Sequence, residues 1–356
     1  MDFSFSDEQH LLRKLAREYL TDRLPPERIG ELADRAAGRD STVDRELFEM
    51  GWFGDELGFV DLLVLFEEAG RALLPSAWFP TVAVVRPLLA ASDELAEQIR
   101  NGRTCTLAWA ADRARSALDR TPALPGLVGP GLLTTSRVLV PDLEQADSVL
   151  VLGLDAGRLG GLEVDTGAHP EVISRCPNVD GTRRFHDLHT DRTPARRVQL
   201  SATGIESLRA RLWVALAAEA LGVAGRALDF GIEHARTRTQ FGRIIGTYQG
   251  VSHRLVDAYV RIELARSLVY RAAGIIEEGL TGDPLEIAVC SAAKTRAAGA
   301  AVFAAENSIQ VLGGMGMTWE HPIHRWLKRA MTLNAWDGNP DTHLDRIGES
   351  IMAFST

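Results

Sequence analysis

The long helical segments of the C-terminal part constrain the fold of this sequence more than any other feature. Apolar residues recur there at helical spacing, and Pro284, Pro322 and Pro340 each fall where the first turn of a helix accepts proline. The predicted helices span about 203–236, 248–279, 284–312, 321–335 and 340–353. Because the connections between them are short, neighbouring helices should run antiparallel, which predicts an antiparallel four-helix bundle.

The middle of the sequence, residues 102–202, has a different pattern, in which short apolar runs are separated by Gly, Pro and Asp. These runs lie at 105–110, 136–141, 148–154 and 196–200. Runs of this length and spacing predict a small β barrel or sandwich. The segment 155–195 is too polar for strands to be placed in it.

The N-terminal part is predicted to be helical. Ser6 is a suitable N-cap for the first helix, because acidic residues follow it. Residues 59–73 are so apolar that their helix should be buried on most sides, and Pro75 should end it. The predicted fold class is therefore α+β. The predicted domains are an N-terminal helical domain at 1–101, a middle β domain at 102–202 and a C-terminal helical bundle at 203–356.

Composition and charge narrow the class of function. The chain has 356 residues and a formal net charge of −9, which argues against nucleic acid and anionic membranes as partners. Its three cysteines lie far apart, which excludes a disulfide framework and a Cys-x-x-Cys metal site. The sequence starts without a secretory signal pattern, and no apolar run approaches the ~20 residues of a membrane span. We therefore expect a soluble, cytoplasmic protein.

Three stretches of the sequence resemble motifs of the acyl-CoA dehydrogenase family of flavoproteins. HARTRTQFGRIIGTYQG at 234–250 is similar to the family's Arg-x-[Gln/Thr]-Phe-Gly motif and its following glutamine. QVLGGMGM at 310–317 is similar to the Gln-x-x-Gly-Gly motif, and DFSFSDEQ near the start also matches. The resemblance runs from residue 2 to about 350, with the motifs in the family's order, and it implies FAD as the cofactor.

The resemblance implies which residues bind FAD. The matching positions are Arg238, Gln240, Phe241, Gln249, Gln310, Gly313 and Gly314. The guanidinium of Arg238 suits a pyrophosphate, and the two glycines allow close approach of the backbone to the adenosine end. In the family this half of the site is contributed across a subunit interface. Gly313–Gly316 is alternatively only a helix C-cap and turn.

The resemblance also implies a catalytic position. The family's reaction removes an α-proton from an acyl-CoA while a hydride leaves the β-carbon for flavin N5, and it needs a carboxylate base. The matching stretch is Trp336-Asp337-Gly338, so Asp337 would be the base, and Trp336, Gly338 and Arg211 would contact the substrate. Aspartate is one methylene shorter than the usual glutamate, and a misplacement of about 1 Å can lower a rate ~10²-fold. Asp337 is alternatively a turn former. Another base position of the family is occupied here by Ala210.

Several other polar residues have simpler interpretations. Arg211 could form a structural ion pair, for instance with Glu219, which lies in an apolar stretch and should be buried or at an interface. His321 and His324 lack a third ligand, so no metal site is predicted. A further pair, His186 and His189, should lie in an exposed polar loop.

Two departures from the family concern the half of the flavin site that each chain supplies to itself. Leu139 and Pro141 stand where the family has a Trp-x-Thr motif, and TLAWAADRARS at 106–116 replaces a polar Thr-Glu signature. The chain is also short, since Gly54 leads directly to Asp-Glu-Leu-Gly-Phe without the family's Pro- and Gly-rich loop. The resemblance therefore implies that the half of the flavin site supplied to a neighbour is kept, while the half that the chain supplies to itself is degraded.

Two hypotheses follow. In the first, the chain belongs to an FAD-dependent acyl-CoA dehydrogenase that forms a 2-enoyl-CoA, with electron-transfer flavoprotein as electron acceptor. It is then catalytic through Asp337, as a homo-oligomer, or it is the partner subunit of an α2β2 heterotetramer whose other subunit supplies the glutamate; we favour the partner version. The acyl group could be a sterol side chain, a branched chain or a straight chain. In the second hypothesis the chain is a non-catalytic scaffold that binds no flavin.

Overall fold

The structure is a computed structural model that describes residues 5–35, 40–111, 122–128, 131–202, 204–281 and 283–354. The chain forms two compact units. The first, here called the bundle unit, comprises Met1–Glu31, Gly58–Leu74 and Trp213–Thr356. The second, the sheet unit, comprises Leu32–Leu57 and Pro75–Leu212. The three domain ranges expected from the sequence stay predictions.

The helices follow the periodicity of the sequence closely. In chain order they are α1 (Asp7–Arg23), α2 (Pro26–Asp34), α3 (Ser41–Glu49), α4 (Phe59–Arg71), α5 (Trp78–Pro80), α6 (Arg86–Leu88), α7 (Glu94–Arg100), α8 (Ile205–Thr237), α9 (Gln249–Glu278), α10 (Pro284–Leu312), α11 (Ile323–Ala335) and α12 (Pro340–Phe354). Ser6 caps α1 by accepting the N–H of Gln9, whose side chain caps the N–H of Ser6 in return. The five predicted C-terminal helices are confirmed to within two residues at either end.

Helix α4 crosses α8 with the two backbones in direct contact. A Cβ atom at Gly222 of α8 would lie 1.7 Å from the carbonyl oxygen of Glu67, and one at Gly70 of α4 would lie 2.1 Å from that of Glu219. No side chain fits at either distance, so both positions require glycine. Almost every residue of α4 is buried, as its apolar sequence predicts.

Two adjacent carboxylates of α4, Glu67 and Glu68, connect this crossing to other helices. Both are buried. Glu68 receives two hydrogen bonds from one guanidinium, at 2.9 and 2.7 Å. Together the two carboxylates bind Arg13 and Arg17 of α1 and Arg266 and Tyr270 of α9. Since a buried carboxylate is stable only when it is paired, these contacts fix α1 and α9 against α4.

One helix of the bundle unit has the length and composition of a membrane span. It is the stretch Pro284–Met317, which includes α10, and 56% of its most apolar window is buried inside the protein. α10 packs against α9, α11 and α12. This burial is what the central helix of a bundle requires, and a cytoplasmic location stays a prediction.

The sheet unit contains two four-stranded sheets. Its strands, followed by the two strands of a hairpin after α8, are β1 (Cys105–Ala108), β2 (Leu127–Val128), β3 (Leu132–Pro141), β4 (Ser148–Asp155), β5 (Arg158–Asp165), β6 (Ile173–Arg175), β7 (Phe185–Pro194), β8 (Arg196–Val198), β9 (Thr239–Gln240) and β10 (Arg243–Ile244). The sheet orders are β1-β4-β5-β8 and β2-β3-β7-β6, and only the β1–β4 pair is parallel among the described pairs. Ala108, Val149 and Val164 of one sheet share a core with Leu133 and Leu188 of the other.

The polar segment 155–195 contains three strands that its sequence does not reveal. Along β7 buried and exposed side chains largely alternate, as in a strand with one face on a core. The expectation that His186 lies in an exposed loop is therefore wrong: His186 is 1% exposed, while His189 of the same strand is exposed. Nε2 of His186 lies 3.4 Å from Oε2 of Glu144, and burial lowers the pKa of His186. Polar residues such as Thr190 are also buried on the inward face, so apolar and polar residues do not alternate along this strand in the sequence.

The α4–α8 crossing gives a direct test of the fold. We expect Gly222→Ala to lower the free energy of unfolding by at least about 2 kcal/mol, because its methyl group would overlap the backbone of α4. Gly299→Ala is the matched control, since a Cβ atom there meets no atom within 4 Å and alanine favours a helix by roughly 0.5–1 kcal/mol. Urea denaturation of both variants measures the difference; equal stability would contradict the close crossing.

Candidate functional site

A short hairpin follows α8 and carries part of the predicted FAD motif. Strands β9 and β10 pair through Gln240 with Arg243 and through Thr239 with Ile244, leaving a two-residue turn. Both turn residues have positive φ, +52° at Phe241 and +79° at Gly242, as this kind of hairpin requires. The ring of Phe241 is 93% exposed at the tip. A phenylalanine held at full exposure in a left-handed conformation contributes nothing to the packing of its own chain.

Arg238 lies between α8 and the hairpin, with its guanidinium free. Its backbone N–H continues α8 by donating to His234 at 2.9 Å, and its carbonyl accepts the N–H of Ile245 at 2.9 Å. Its side chain is exposed and makes no hydrogen bond or ion pair within the described part of the chain. The backbone of Arg238 is therefore fixed at both ends while its donors remain available to an anion.

Two of the three predicted glutamines lie at the hairpin, Gln240 in β9 and Gln249 at the start of α9. The hydroxyl of Tyr248 donates toward the carbonyls of Gln240 at 3.1 Å and Phe241 at 3.3 Å, which holds the start of α9 against the turn. Gln249 is the first residue of α9 and is exposed. Arg238, Gln240, Phe241 and Gln249 are thus confined to one surface.

The glycine motif at the end of α10 is also exposed. Gly313 has φ of +63°, and its N–H bonds to carbonyls of Gln310 and Ile309, so it does end the helix. Gly314 has no positive φ, and a Cβ atom on it would meet no atom within 4 Å. Neither the backbone nor the packing of this chain requires glycine at 314. The C-cap alternative therefore accounts for Gly313 but not for Gly314.

Contacts between helices bring these two motifs to the same end of the bundle unit. Gly231 of α8 lies against Leu255 of α9 and Ser308 of α10, because a Cβ atom on it would be 2.9 and 2.7 Å from their side chains. Arg254 of α9 donates to the side-chain oxygen of Asn307 of α10 at 3.1 Å. The end of α8, the start of α9 and the end of α10 therefore meet; we call this region the hairpin end.

Asp337 lies in the turn between α11 and α12. It has φ of +53° and the following Gly338 has φ of +112°, so two consecutive residues are left-handed. Asp337 is 7% exposed, and its Oδ2 accepts the indole N–H of Trp213 at 2.6 Å. A Cβ atom on Gly338 would lie 3.0 Å from Nε2 of His343. Glycine at 338 is thus explained by the backbone and by His343, and Trp336 is half-buried beside the turn.

Lys294 of α10 holds the same turn from the other side. Its Nζ donates to the carbonyl oxygen of Asn334 at 3.1 Å and to that of Gly338. Lys294 is 1% exposed. Burial lowers the pKa of its ammonium group to about 8, and the nearby carboxylate of Asp337 limits this decrease.

His343 of α12 completes the cluster. Its Nδ1 lies 2.7 Å from the hydroxyl of Ser291, and its ring meets the edge of Trp213 at 5.1 Å between centroids. Burial lowers the pKa of His343 to about 3, and the positive charge of Lys294 adds to that decrease. We call Trp213, Ser291, Lys294, Asp337 and His343 the Asp337 cluster.

Sequence reasoning found only Asp337 of this cluster. The available signal was a lone lysine in the apolar stretch SAAKTRAAGAA, the same kind of signal that marks Glu219. Along α10, Lys294 and Gln310 are about 24 Å apart at 1.5 Å per residue. The Asp337 cluster and the hairpin end are therefore well separated along the bundle.

Arg211 and Glu219 have different partners from each other. In the sheet unit, Nε of Arg211 donates at 3.0 Å to the carbonyl of Ala83, which lies in a π-helical turn at Thr81–Val85. Such a turn interrupts the ordinary helical hydrogen bonds, and Arg211 satisfies one of its carbonyls. In the bundle unit, Glu219 is buried as expected, and its carboxylate pairs with the buried Arg329.

The position of the family's Trp-x-Thr motif is an irregular part of β3. The register with β7 shifts between Arg137 and Val140, and Leu139 has φ of +53° with its N–H 3.3 Å from Oδ1 of Asp187. Leu139 and Pro141 have no polar side-chain atoms for a cofactor. Residues 112–116 of the altered 106–116 stretch lie outside the described residues.

The histidines at the start of α11 are used locally. Nδ1 of His321 accepts the N–H of Ile323 at 3.2 Å, and Nδ1 of His324 lies 3.0 Å from the carbonyl of His321. Across the described ranges, no group of three or more His, Cys, Asp or Glu side chains is arranged to hold a metal ion.

The contribution of His343 to the pH dependence of folding stability can be tested. Its pKa is about 3 in the folded chain and near 6.5 when unfolded, so only the unfolded chain takes up this proton between those values. The free energy of unfolding should therefore fall as the pH drops from 6.5 toward 3, by up to about 1.4 kcal/mol per pH unit. We expect His343→Leu to remove that part of the slope and His189→Gln to leave it. Urea denaturation between pH 7 and pH 4 measures it; parallel curves for wild type and His343→Leu would contradict the prediction.

The sequence is similar to known proteins along most of its length. Residues 209–352 match the family model "Acyl-CoA dehydrogenase, C-terminal domain". The acyl-CoA dehydrogenase IpdE2 of Mycobacterium tuberculosis is 32% identical over 310 residues, which covers 87% of this chain and 82% of that protein.

Solved structures share the fold. The Tcur3481-Tcur3483 steroid ACAD has a TM-score of 0.83 at 26% identity and covers 98% of this chain and 99% of its own. The ChsE4-ChsE5 complex from Mycobacterium tuberculosis has a TM-score of 0.85 at 24% identity and covers 99% of both chains. The predicted α+β fold class, with N-terminal helices, middle β-sheets and a C-terminal helical bundle, is confirmed.

Proposed function

This chain belongs to the acyl-CoA dehydrogenase family, and we propose that it acts as a subunit of an FAD-dependent enzyme of this kind, completing the flavin site of a homologous neighbouring subunit. The reaction is the α,β-dehydrogenation of an acyl-CoA to a 2-enoyl-CoA. A carboxylate of the enzyme would take the α-proton. FAD, when bound, would supply the acceptor for the β-hydride, with an electron-transfer flavoprotein as the proposed electron acceptor of the enzyme.

The hairpin end carries this proposal. An unpartnered guanidinium at Arg238, a fully exposed ring at Phe241 and an unexplained glycine at 314 lie on one end of the bundle. Burying a phenylalanine side chain stabilises an interface by ~1.5–3 kcal/mol, so its exposure here favours a surface that another subunit covers. An arginine fork beside it suits the pyrophosphate of a dinucleotide.

The residues present at the hairpin end fit the adenosine half of FAD. Arg238 would hold the pyrophosphate, and Gln240, Gln249 and Gln310 would bind ribose or phosphate oxygens. Gly314 would let the backbone approach the ligand, because its Cβ position is open space. At Arg238 this fit uses guanidinium N–H groups that make no hydrogen bond or ion pair within the described part of the chain.

The irregular part of β3 supports a shared site. Leu139 and Pro141 offer no side-chain hydrogen bond where the family holds the flavin ring, so the ring would be held by the neighbouring subunit. The similar ChsE4-ChsE5 structure is a complex of two proteins, which supports an α2β2 arrangement here. The similar steroid ACAD makes steroid side-chain thioesters the first substrates to test, before branched and straight chains.

Replacing Arg238 tests the proposed flavin contact. The chain is co-produced with a homologous acyl-CoA dehydrogenase subunit of the same organism that carries the glutamate. We expect Arg238→Gln to weaken flavin binding by ten-fold or more, because a hydrogen bond to a charged group contributes roughly 1.5–3 kcal/mol. Arg236→Gln, at an exposed arginine of the same region, is the control. Visible flavin absorption per protein and turnover of an acyl-CoA are measured.

The outcomes separate the candidate functions. Flavin in the co-purified complex alone supports the shared site. Flavin binding and full turnover by this chain alone, as a homo-oligomer, would contradict it. Absence of flavin from this chain, with or without the partner, would favour the scaffold hypothesis. Flavin content that Arg238→Gln leaves unchanged would contradict the proposed contact of Arg238.

Gly314 gives a second test of the same surface. We expect Gly314→Ala to leave thermal stability unchanged, because its methyl group meets no atom of the chain. It should nevertheless reduce the flavin content of the complex, since the methyl group lies where the ligand would approach. If flavin content is unaffected, position 314 is part of a turn and not of the site.

A further inference from the structure

Asp337 occupies the family's position for the catalytic base, but its surroundings in this chain fit another role. We infer that Asp337 is an internal anion that binds Trp213 and balances the buried cation of Lys294, and that the carboxylate that takes the α-proton comes from another subunit. The second part of this inference rests on the proposed function; the first part does not.

The hydrogen bond to Trp213 is the first argument. Oδ2 of Asp337 accepts the indole N–H at 2.6 Å, and Trp213 is fully buried. An indole N–H in the interior needs an acceptor, because water cannot reach it. Turning the carboxylate toward a substrate would therefore leave the N–H of Trp213 without this partner.

The charge of Lys294 is the second argument. Its ammonium is 1% exposed, and its hydrogen bonds go to two neutral carbonyls, those of Asn334 and Gly338. Neutral acceptors satisfy the N–H groups but do not cancel the charge. These two hydrogen bonds hold the ammonium beside the turn that carries Asp337, and the negative charge of Asp337 limits the decrease in the pKa of Lys294. A buried cation of this kind is costly without an opposing charge, so moving or removing Asp337 is expected to destabilise the fold.

The backbone of the turn is the third argument. Lys294 donates to the carbonyl of Asn334, three residues before Asp337, and to that of Gly338, directly after it, and so fixes both sides of the turn. Asp337 and Gly338 are both left-handed, which restricts how the aspartate can be re-aimed. A general base must come within hydrogen-bond distance of the proton it removes. Asp337 has a short side chain that its turn directs into the protein interior, so it is poorly placed to reach the α-proton of an acyl-CoA.

The test uses Asp337→Asn in the assembled enzyme. Asparagine keeps the size of the side chain and an oxygen for Trp213, but it removes the charge. We expect turnover of the acyl-CoA to stay within ten-fold of wild type at equal flavin content. Asp345→Asn, at an exposed aspartate of α12, is the matched control. A loss of turnover greater than ten-fold, with flavin content and folding unchanged, would overturn the inference and identify Asp337 as the base.

A second measurement tests the internal charge directly and needs no partner. The thermal midpoint of this chain is compared for Asp337→Asn, Lys294→Met and the double variant. Removing the anion alone leaves the buried cation uncompensated, so Asp337→Asn should lower the midpoint, and adding Lys294→Met should recover part of the loss. Additive effects would show that the two charges are not coupled and would overturn the assignment. Because this readout does not involve flavin, it is independent of the Arg238 experiment, and failure of one does not imply failure of the other.

Discussion

The contact between the backbones of α4 and α8 is the constraint on which the bundle unit depends. Gly70 and Gly222 bring the two helices so close that the acidic residues beside them, Glu67, Glu68 and Glu219, are enclosed. Enclosed carboxylates need cations. Their partners lie on α1, α9 and α11, so one close crossing determines which surfaces of three further helices face inward.

The long helices of the bundle then keep two chemically different regions apart. The hairpin end presents an arginine, an exposed aromatic ring and glycines to the outside, whereas the Asp337 cluster is closed and has its hydrogen bonds directed inward. The exposed hairpin end is suited to binding a ligand or another subunit, and the buried Asp337 cluster is suited to stabilising the turn between α11 and α12. Both regions match motifs of the family in sequence, but in this chain one is exposed and the other is buried, and this difference supports the shared site proposed above.

The helices could be predicted because their signals are local. Apolar periodicity and N-terminal prolines place α8 to α12 almost at their observed limits. The strands within 155–195 could not be predicted, because the inward face of β7 carries polar residues such as His186 and Thr190. The alternation of apolar and polar residues that marks a strand is therefore missing from its sequence. Lys294 and His343 were missed for another reason. They are buried and find their partners only because α10 packs against the turn before α12, about fifty residues farther along the chain. A local sequence pattern cannot predict such a long-range contact.

The exposed ring of Phe241 has a consequence for the cell. An apolar side chain at an exposed tip promotes unspecific association when nothing covers it. In the two-chain assembly proposed above, the neighbouring subunit would cover this tip, and an excess of this chain would leave it uncovered. Synthesis of the two chains in matched amounts, for example from one message, would then keep the tip covered from the time this chain folds.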